Sequence, residues 1–441
     1  MVEILHAYMN GVKVGVLEKR CNGVHYFTYD ADWLSHPLSR PVSISMPCRQ
    51  DPYVGEVVVN FFQNLLPDSQ DTIANIASQF NAKSRLPFDL LTHIGRDTVG
   101  AITLVPNGCA LPDHKVITGH ALSEQEMLTL FNGHERGAPL GMIKGENDLR
   151  ISISGMQEKT ALLRHDGQWM IPTGLTPTTH IIKQPIGSIV SHSSTIDLSS
   201  SVDNELICMR LAKAFGLSAA DCDIIRIGGA RVLSVERFDR RLSLDGTHYL
   251  RLPQEDLCQA LELAPCRKYE SDSGYGINDV ISVLRYSKSP SNTLNFARSQ
   301  VLFWLLAAID GHAKNFSISI EARGRYQLTP LYDIMSAYPL IGGRGLSERK
   351  IRMAMSLKGS KGRKWKWHQI QPRHLVDTFS ATGIPSINEQ RMRVVLNEFA
   401  LKAQQAIDIV GESLPSDIDE DVRDKIFSGL LKASKKIKII S

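Results

Sequence analysis

The stretch Asp310-Gly-His-Ala-Lys-Asn315, followed by Tyr332-Asp333-Ile334, constrains this 441-residue chain more than any other. Ala307-Ala308-Ile309 ends an apolar helix and Asp310-Gly311 opens a turn. Phe316 to Ile320 then reads as a strand, Glu321 to Arg325 as a turn, and Tyr326 to Thr329 as the returning strand. Antiparallel pairing of those strands carries residue 333 back beside residues 313–315. Asn315 and Asp333 then meet at one point, and Asp310 faces a neighbouring point where a hydroxyl fits. Magnesium takes oxygen donors, usually one or two carboxylates, and keeps room for phosphates and water. The expected chemistry is phosphoryl transfer from magnesium-ATP, with Asp310 as catalytic base and Asn315 and Asp333 holding Mg2+. Each carboxylate alone reads as a helix end or a turn residue; the joint spacing carries the expectation. His312, in the same turn, reads chiefly as structural and is kept among the nucleotide-contacting candidates.

Such a site needs a lysine, a phosphate cradle and an adenine slot. Thr179-His-Ile-Ile-Lys183 reads as a strand, so Thr179, Ile181 and Lys183 share a face, and Ile181 can pack on adenine while Lys183 reaches phosphates. Asp203 and Glu205 on the next helix are both candidates to orient Lys183, with Glu205 preferred. A G-x-G-x-x-G loop is absent; in its place stands Arg150-Ile-Ser-Ile-Ser-Gly-Met-Gln-Glu-Lys159. There Ser152, Ser154, Gly155 and the backbone around Met156 can bind phosphate oxygens, although the same run reads equally well as a polar hairpin turn. Glu236-Arg-Phe-Asp-Arg240 follows an apolar strand where a β-rich half meets a helical half; the adenine contacts, one carbonyl and one N–H, are assigned to Glu236 and Phe238. As a bare sequence it is a charged linker.

The wider organisation agrees. Asn10-Gly11, His165-Asp-Gly167 and Gly228-Gly229 each separate apolar runs and predict hairpins. Helical spacing appears over 56–94 and 204–215, and capping boxes are expected at Ser123/Glu126 and Ser386/Glu389. The serine-rich segment 186–204 lacks periodicity and reads as a mobile loop. The basic, aromatic run Lys358 to Trp367 reads as a solvated surface loop with tryptophans beneath it, with nucleic-acid contact as the alternative. A hydrophobic content of 43% supports a large core, and a net charge of +4 allows nucleic-acid contact without arguing for it. Seven cysteines without a C-x-x-C pair fit a reducing cytoplasm. No signal peptide or membrane span is expected.

Taken together, these residues resemble the HipA-type serine/threonine kinases, toxins of bacterial toxin–antitoxin pairs. The segments that carry the resemblance are Asn60 to Asp68, Arg85 to Leu91, Ile94 to Gly100, Gln157 to Thr160, Pro177 to Lys183, Val235 to Arg240, Leu252 to Asp256, Asp310 to Asn315 and Tyr332-Asp333. The resemblance implies an α+β, two-lobed, protein-kinase-like fold. Its parts are an extra N-terminal β subdomain (1–55), a β-rich N-lobe with phosphate loop and hinge (56–238), and a helical C-lobe with the catalytic and metal-binding residues (239–441). It implies the same roles for Asp310, Asn315, Asp333 and Lys183, and adds Gln254 as a nucleotide-pocket residue. It also implies inhibitory autophosphorylation at Ser152, glutamate–tRNA ligase as substrate, and a helix-turn-helix antitoxin dimer of the HipB type as partner. Operator DNA is then bound mainly through the antitoxin, because basic residues matching the family's C-lobe DNA contacts are not found. Two other readings are a DNA-associated regulatory subunit with a vestigial kinase site and a small-molecule phosphotransferase. The intact Lys183, Asp310, Asn315 and Asp333 count against the first, and the serine-rich segment counts against the second.

Overall fold

The computed structural model describes residues 2–133, 159–190, 195–342 and 345–437. The first sheet begins with β1 (Glu3–Met9) and β2 (Val12–Lys19). Their turn places Asn10 at φ 46° and Gly11 at φ 82°, the left-handed pair that a two-residue type I′ hairpin needs. β3 (His25–Tyr29) and β4 (Tyr53–Val54) extend one edge, and β5 (Ile102–Pro106) pairs with β1 on the other, giving the order β4-β3-β2-β1-β5. Between β4 and β5 lie the helices Glu56–Gln63, Gln70–Gln79 and Pro87–Ile94. Phe61, Phe62 and Leu91 from these helices share one core with Leu5, Phe27 and Leu104. The expected boundary at residue 55 is therefore corrected: the first unit runs to about Pro106, because its last strand returns from far along the chain.

The second sheet has the order β12-β13-β9-β7-β8-β6. Its strands are β6 (Gly119–Ala121), β7 (Lys159–His165), β8 (Gln168–Pro172), β9 (His180–Lys183), and, beyond a separate hairpin of β10 (Gly187–Val190) with β11 (Thr195–Leu198), β12 (Cys222–Ile227) and β13 (Ala230–Glu236). The β10–β11 pairing corrects the expectation of an irregular loop: Ile189 stands opposite Ile196, and Ile196 and Leu198 are buried in the main core. Serine content hid the apolar alternation. The Ser201–Ala214 helix packs behind this sheet and is buried on nearly every side.

The remaining chain is mostly helical. β14 (Arg240–Leu242) pairs with β15 (Tyr249–Arg251), and β16 (Gln254–Asp256), β17 (Ser317–Ile320) and β18 (Tyr326–Leu328) form a three-stranded sheet. The Ser291–Leu306 helix runs through the largest core, with Phe296, Val301 and Trp304 fully buried. The Glu389–Ser413 helix starts two residues later than its expected box: Asn388 is the N-cap, accepting from the Arg391 N–H, and residues 385–387 form a 3-10 turn. β19 (Arg352–Gly359) and β20 (Gly362–Lys366) turn the basic run into a hairpin; Trp367, just after it, is buried and donates to the Trp304 carbonyl at 2.8 Å. Among the described residues no helix is long and apolar enough to cross a membrane.

Glu236-Arg-Phe-Asp-Arg240 is no solvated linker. Arg237 binds Asp239 through two hydrogen bonds (3.0 and 2.9 Å), Arg240 reaches Asp97 at 3.1 Å, and Arg251 reaches Asp97 at 3.0 Å. Asp97 belongs to the first unit, so the segment ties that unit to the end of β13. A second tie is Glu255, whose buried Oε1 accepts from the Ile44 N–H at 2.8 Å. Burial pushes the Glu255 carboxyl from its ordinary 4.5 up to about 8. The neutral form is the one this site favours, so its stabilising contribution is full below pH 4.5 and is lost as pH rises through about 8. Glu255→Gln is expected to flatten that part of the stability profile, seen as a urea midpoint that falls less between pH 5 and pH 9 than in the wild type.

Candidate active site

Strand alternation sends Ile182 of β9 into a small core with Met127, Phe131, Leu162 and Val232, and leaves Lys183 on the opposite face. The Lys183 ammonium lies 2.6 Å from Glu205 Oε1 and 2.8 Å from Asp333 Oδ1. Glu205 is fully buried on the Ser201–Ala214 helix. Asp203, the other candidate partner, binds Arg231 at 2.7 Å instead. Residues two apart on a helix face different directions, so only one of the two carboxylates can reach the lysine. Burial by itself would depress the Lys183 ammonium, but Asp333 and Glu205 hold it above its ordinary value. Burial would likewise raise Asp333, yet Lys183 keeps that carboxyl far below the usual carboxylate range. Burial holds the Glu205 carboxyl above its ordinary value in spite of Lys183. The Lys183–Asp333 contact is thus a charged pair.

Ala307 takes φ 48° and ends the preceding helix, and Asp310 follows. Its Oδ1 accepts from the Tyr269 hydroxyl at 2.6 Å. Asn315 donates its Nδ2 to the Asp310 carbonyl at 2.8 Å, which leaves the amide oxygen as the donor atom for a cation. β17 and β18 bring the chain back, and the Tyr332 hydroxyl closes the return by contacting Ser317 Oγ (2.6 Å) and the Lys314 carbonyl (2.9 Å). Asp333 follows at φ 58°. A left-handed backbone at a residue other than glycine costs roughly 1–3 kcal/mol, and such strain clusters at functional sites. His312 is buried, stands edge-on to Tyr269 with ring centroids 5.0 Å apart, and is pushed down to about 3 by burial and by Lys268, so it stays neutral.

At the end of β13 the Glu236 N–H is engaged by the Asp221 carbonyl and the Arg237 N–H by the Thr179 carbonyl. With the Glu236 N–H used, an adenine contact there falls to its carbonyl and to the Phe238 N–H. The Phe238 ring lies 5.9 Å from Tyr332. Gln254 sits on β16 with its main chain against Gly100, where a Cβ would come within 2.6 Å of the Gln254 carbonyl oxygen. The Gln254 amide oxygen is buried without a hydrogen-bond partner, a group that a nucleotide donor would satisfy. Ser152, Ser154, Gly155 and Met156 lie outside the described residues.

Two residues here were missed from sequence. Lys159 stands directly opposite Lys183 in the β7–β9 ladder and so shares its face; that register joins strands that are not neighbours in a hairpin, so no local turn fixes it. Tyr269 lies far from Asp310 in sequence, and no local pattern marks it. The donor set fits magnesium and a nucleotide: one ionised carboxylate, one amide oxygen, two lysines on one face and an unpaired buried amide oxygen.

The HipA-like C-terminal domain family matches residues 151–407, and the HipA N-terminal domain family matches residues 5–105. The chain is 31% identical over 347 residues to Y4mE of Sinorhizobium fredii, a protein designated as a kinase, covering 77% of this chain and 79% of that one. It is 30% identical over 320 residues to the serine/threonine-protein kinase toxin HipA of Shewanella oneidensis, covering 70% and 69%. The Shewanella oneidensis HipA solved with HipB and operator DNA superposes with a TM-score of 0.80 at 23% identity, covering 98% of this chain and 96% of that one. At that identity the match shows the shared two-lobed, α+β fold.

Proposed function

The chain belongs to the HipA family of serine/threonine-protein kinases, and we propose that it acts as the toxin of a toxin–antitoxin pair through ATP-dependent phosphorylation of a protein hydroxyl. The observation that carries this reading is the Lys183 ammonium held between Glu205 and Asp333 at 2.6 and 2.8 Å. Glu205 fixes the lysine, which then passes from Asp333 to the phosphate oxygens. Asp333 is thereby released to hold Mg2+ together with the Asn315 amide oxygen. Bound there, the metal supplies neutralisation of phosphate charge. Asp310, whose Oδ1 accepts from the Tyr269 hydroxyl, takes the proton of the attacking serine or threonine hydroxyl. Glu236, Phe238 and Gln254 hold the base and its neighbouring groups.

The proposed substrate is glutamate–tRNA ligase, whose phosphorylation arrests translation and growth in the cytoplasm. The proposed partner is a helix-turn-helix antitoxin dimer, through which the protein joins operator DNA and co-represses its operon; the Shewanella oneidensis HipA structure holds HipB and operator DNA. Ser152 is the proposed inhibitory autophosphorylation site, where about two added negative charges would repel ATP. Radiolabelled ATP supplied with the purified protein to a bacterial lysate tests the whole reading. Label is expected on glutamate–tRNA ligase and, by mass spectrometry, on Ser152. Label on another protein with the ligase untouched removes the substrate and keeps the kinase; no transfer at all removes the kinase.

A further inference from the structure

We propose that Asp68, from the N-terminal unit, is a positioning residue for phosphoryl transfer, holding the two lysines that flank the catalytic turn and so fixing Asp310 and Asn315. The proposal rests on the kinase reading above. Asp68 lies just past the Glu56–Gln63 helix, and its carboxylate bridges outward: Oδ2 is 2.9 Å from Lys268 Nζ and Oδ1 is 3.0 Å from Lys314 Nζ. Lys268 immediately precedes Tyr269, whose hydroxyl donates to Asp310. The Lys268 carbonyl also accepts from the Ala313 N–H inside the turn. Lys314 immediately precedes Asn315. One carboxylate therefore braces both the group that orients the base and the segment that carries the metal ligand.

The surroundings are built for this. Lys314 Nζ also donates to the carbonyl and the side-chain oxygen of Asn64, both at 3.1 Å, and sits 3.7 Å from Asp256. Asn60 and Asn64 donate to the carbonyls of Glu262 and Leu263, each at 2.8 Å, and so clip the helix and its end to the C-lobe. Burial would raise the Asp68 carboxyl, but Lys314 and Lys268 bring it down to about 2, so it is ionised across the working pH range. Without that charge two largely buried ammonium groups lose the carboxylate they share. The turn between them must then move, and a misplacement of about 1 Å at the reacting groups can cost roughly 100-fold in rate. A tie between the units that served only stability would leave the rate of the folded protein unchanged.

Single-turnover transfer from ATP, measured over a range of ATP concentrations, separates the two. For Asp68→Asn the rate at saturating ATP should fall roughly 10- to 100-fold. The half-saturating ATP concentration should move little, because Lys183 and Gln254 are not touched. Asp68→Glu should recover part of the rate, and Asp68→Asn with Lys314→Gln should lose less than the two single losses multiplied. A folded Asp68→Asn protein that transfers at the wild-type rate, or that loses only ATP affinity, overturns the proposal. If Asp68→Asn does not fold, Lys268→Gln decides: a full rate overturns the proposal and a reduced saturating rate supports it. A wild-type protein that transfers nothing overturns the kinase reading and this proposal together, so the two failures are distinguishable.

Discussion

Asp310→Asn is expected to lower phosphoryl transfer by roughly 10²- to 10⁴-fold, the range that a positioned general base contributes. The exchange keeps the shape of the side chain and an acceptor for the Tyr269 hydroxyl, and it leaves the carbonyl that binds Asn315 in place. Folding and ATP binding should therefore survive while the proton acceptor is lost. The check is single-turnover transfer alongside binding of a fluorescent ATP analogue. Transfer within tenfold of wild type would remove Asp310 from the role of base; loss of ATP binding would show that the side chain supports the pocket instead.

The second large effect concerns stability. Arg237→Met should cost about 3–5 kcal/mol, the usual penalty for removing one member of a buried charge network. Arg237 is buried and makes two bonds to Asp239, one to Thr178 Oγ1 at 2.8 Å and one to the Thr98 carbonyl at 3.0 Å. Asp239 in turn accepts from the Gly100 N–H at 2.8 Å. Methionine restores most of the volume but none of the donors, so a buried carboxylate and a carbonyl lose partners at once. Arg240, 2.9 Å from the same carboxylate, offsets only part of this. Urea unfolding measures the loss, and a change below about 1 kcal/mol would mean that the network relaxes around the gap. Replacing Arg237 and Asp239 together by apolar residues should cost less than Arg237→Met alone, since no uncompensated carboxylate remains.

Arg237 also shows why parts of the fold were illegible. Glu236-Arg-Phe-Asp-Arg240 looks solvated because four of its five residues are charged, and burial of Arg237, Asp239 and Arg240 depends on Asp97 and Gly100 arriving from another unit. The boundary at residue 55 failed for the same reason: Ile102–Pro106 pairs with β1 across almost a hundred residues. The serine-rich segment was misread differently, its short apolar alternation at Ile189, Ile196 and Leu198 being diluted by hydroxyl residues.

The sequence by itself determined what short-range backbone chemistry controls. The turns at Asn10-Gly11, Asp166-Gly167 and Gly228-Gly229 all take positive φ, and glycine, asparagine and aspartate accept that conformation most readily. The order of strand, turn and strand around Asp310 and Asn315 was legible on the same ground. Tertiary structure alone decided which distant groups meet: Glu205 and not Asp203 on Lys183, the Tyr269 hydroxyl on Asp310, and Asp68 between Lys268 and Lys314. A charged group is left buried only where an opposite charge arrives to offset its desolvation. That arrival depends on how distant segments pack, which no local pattern encodes.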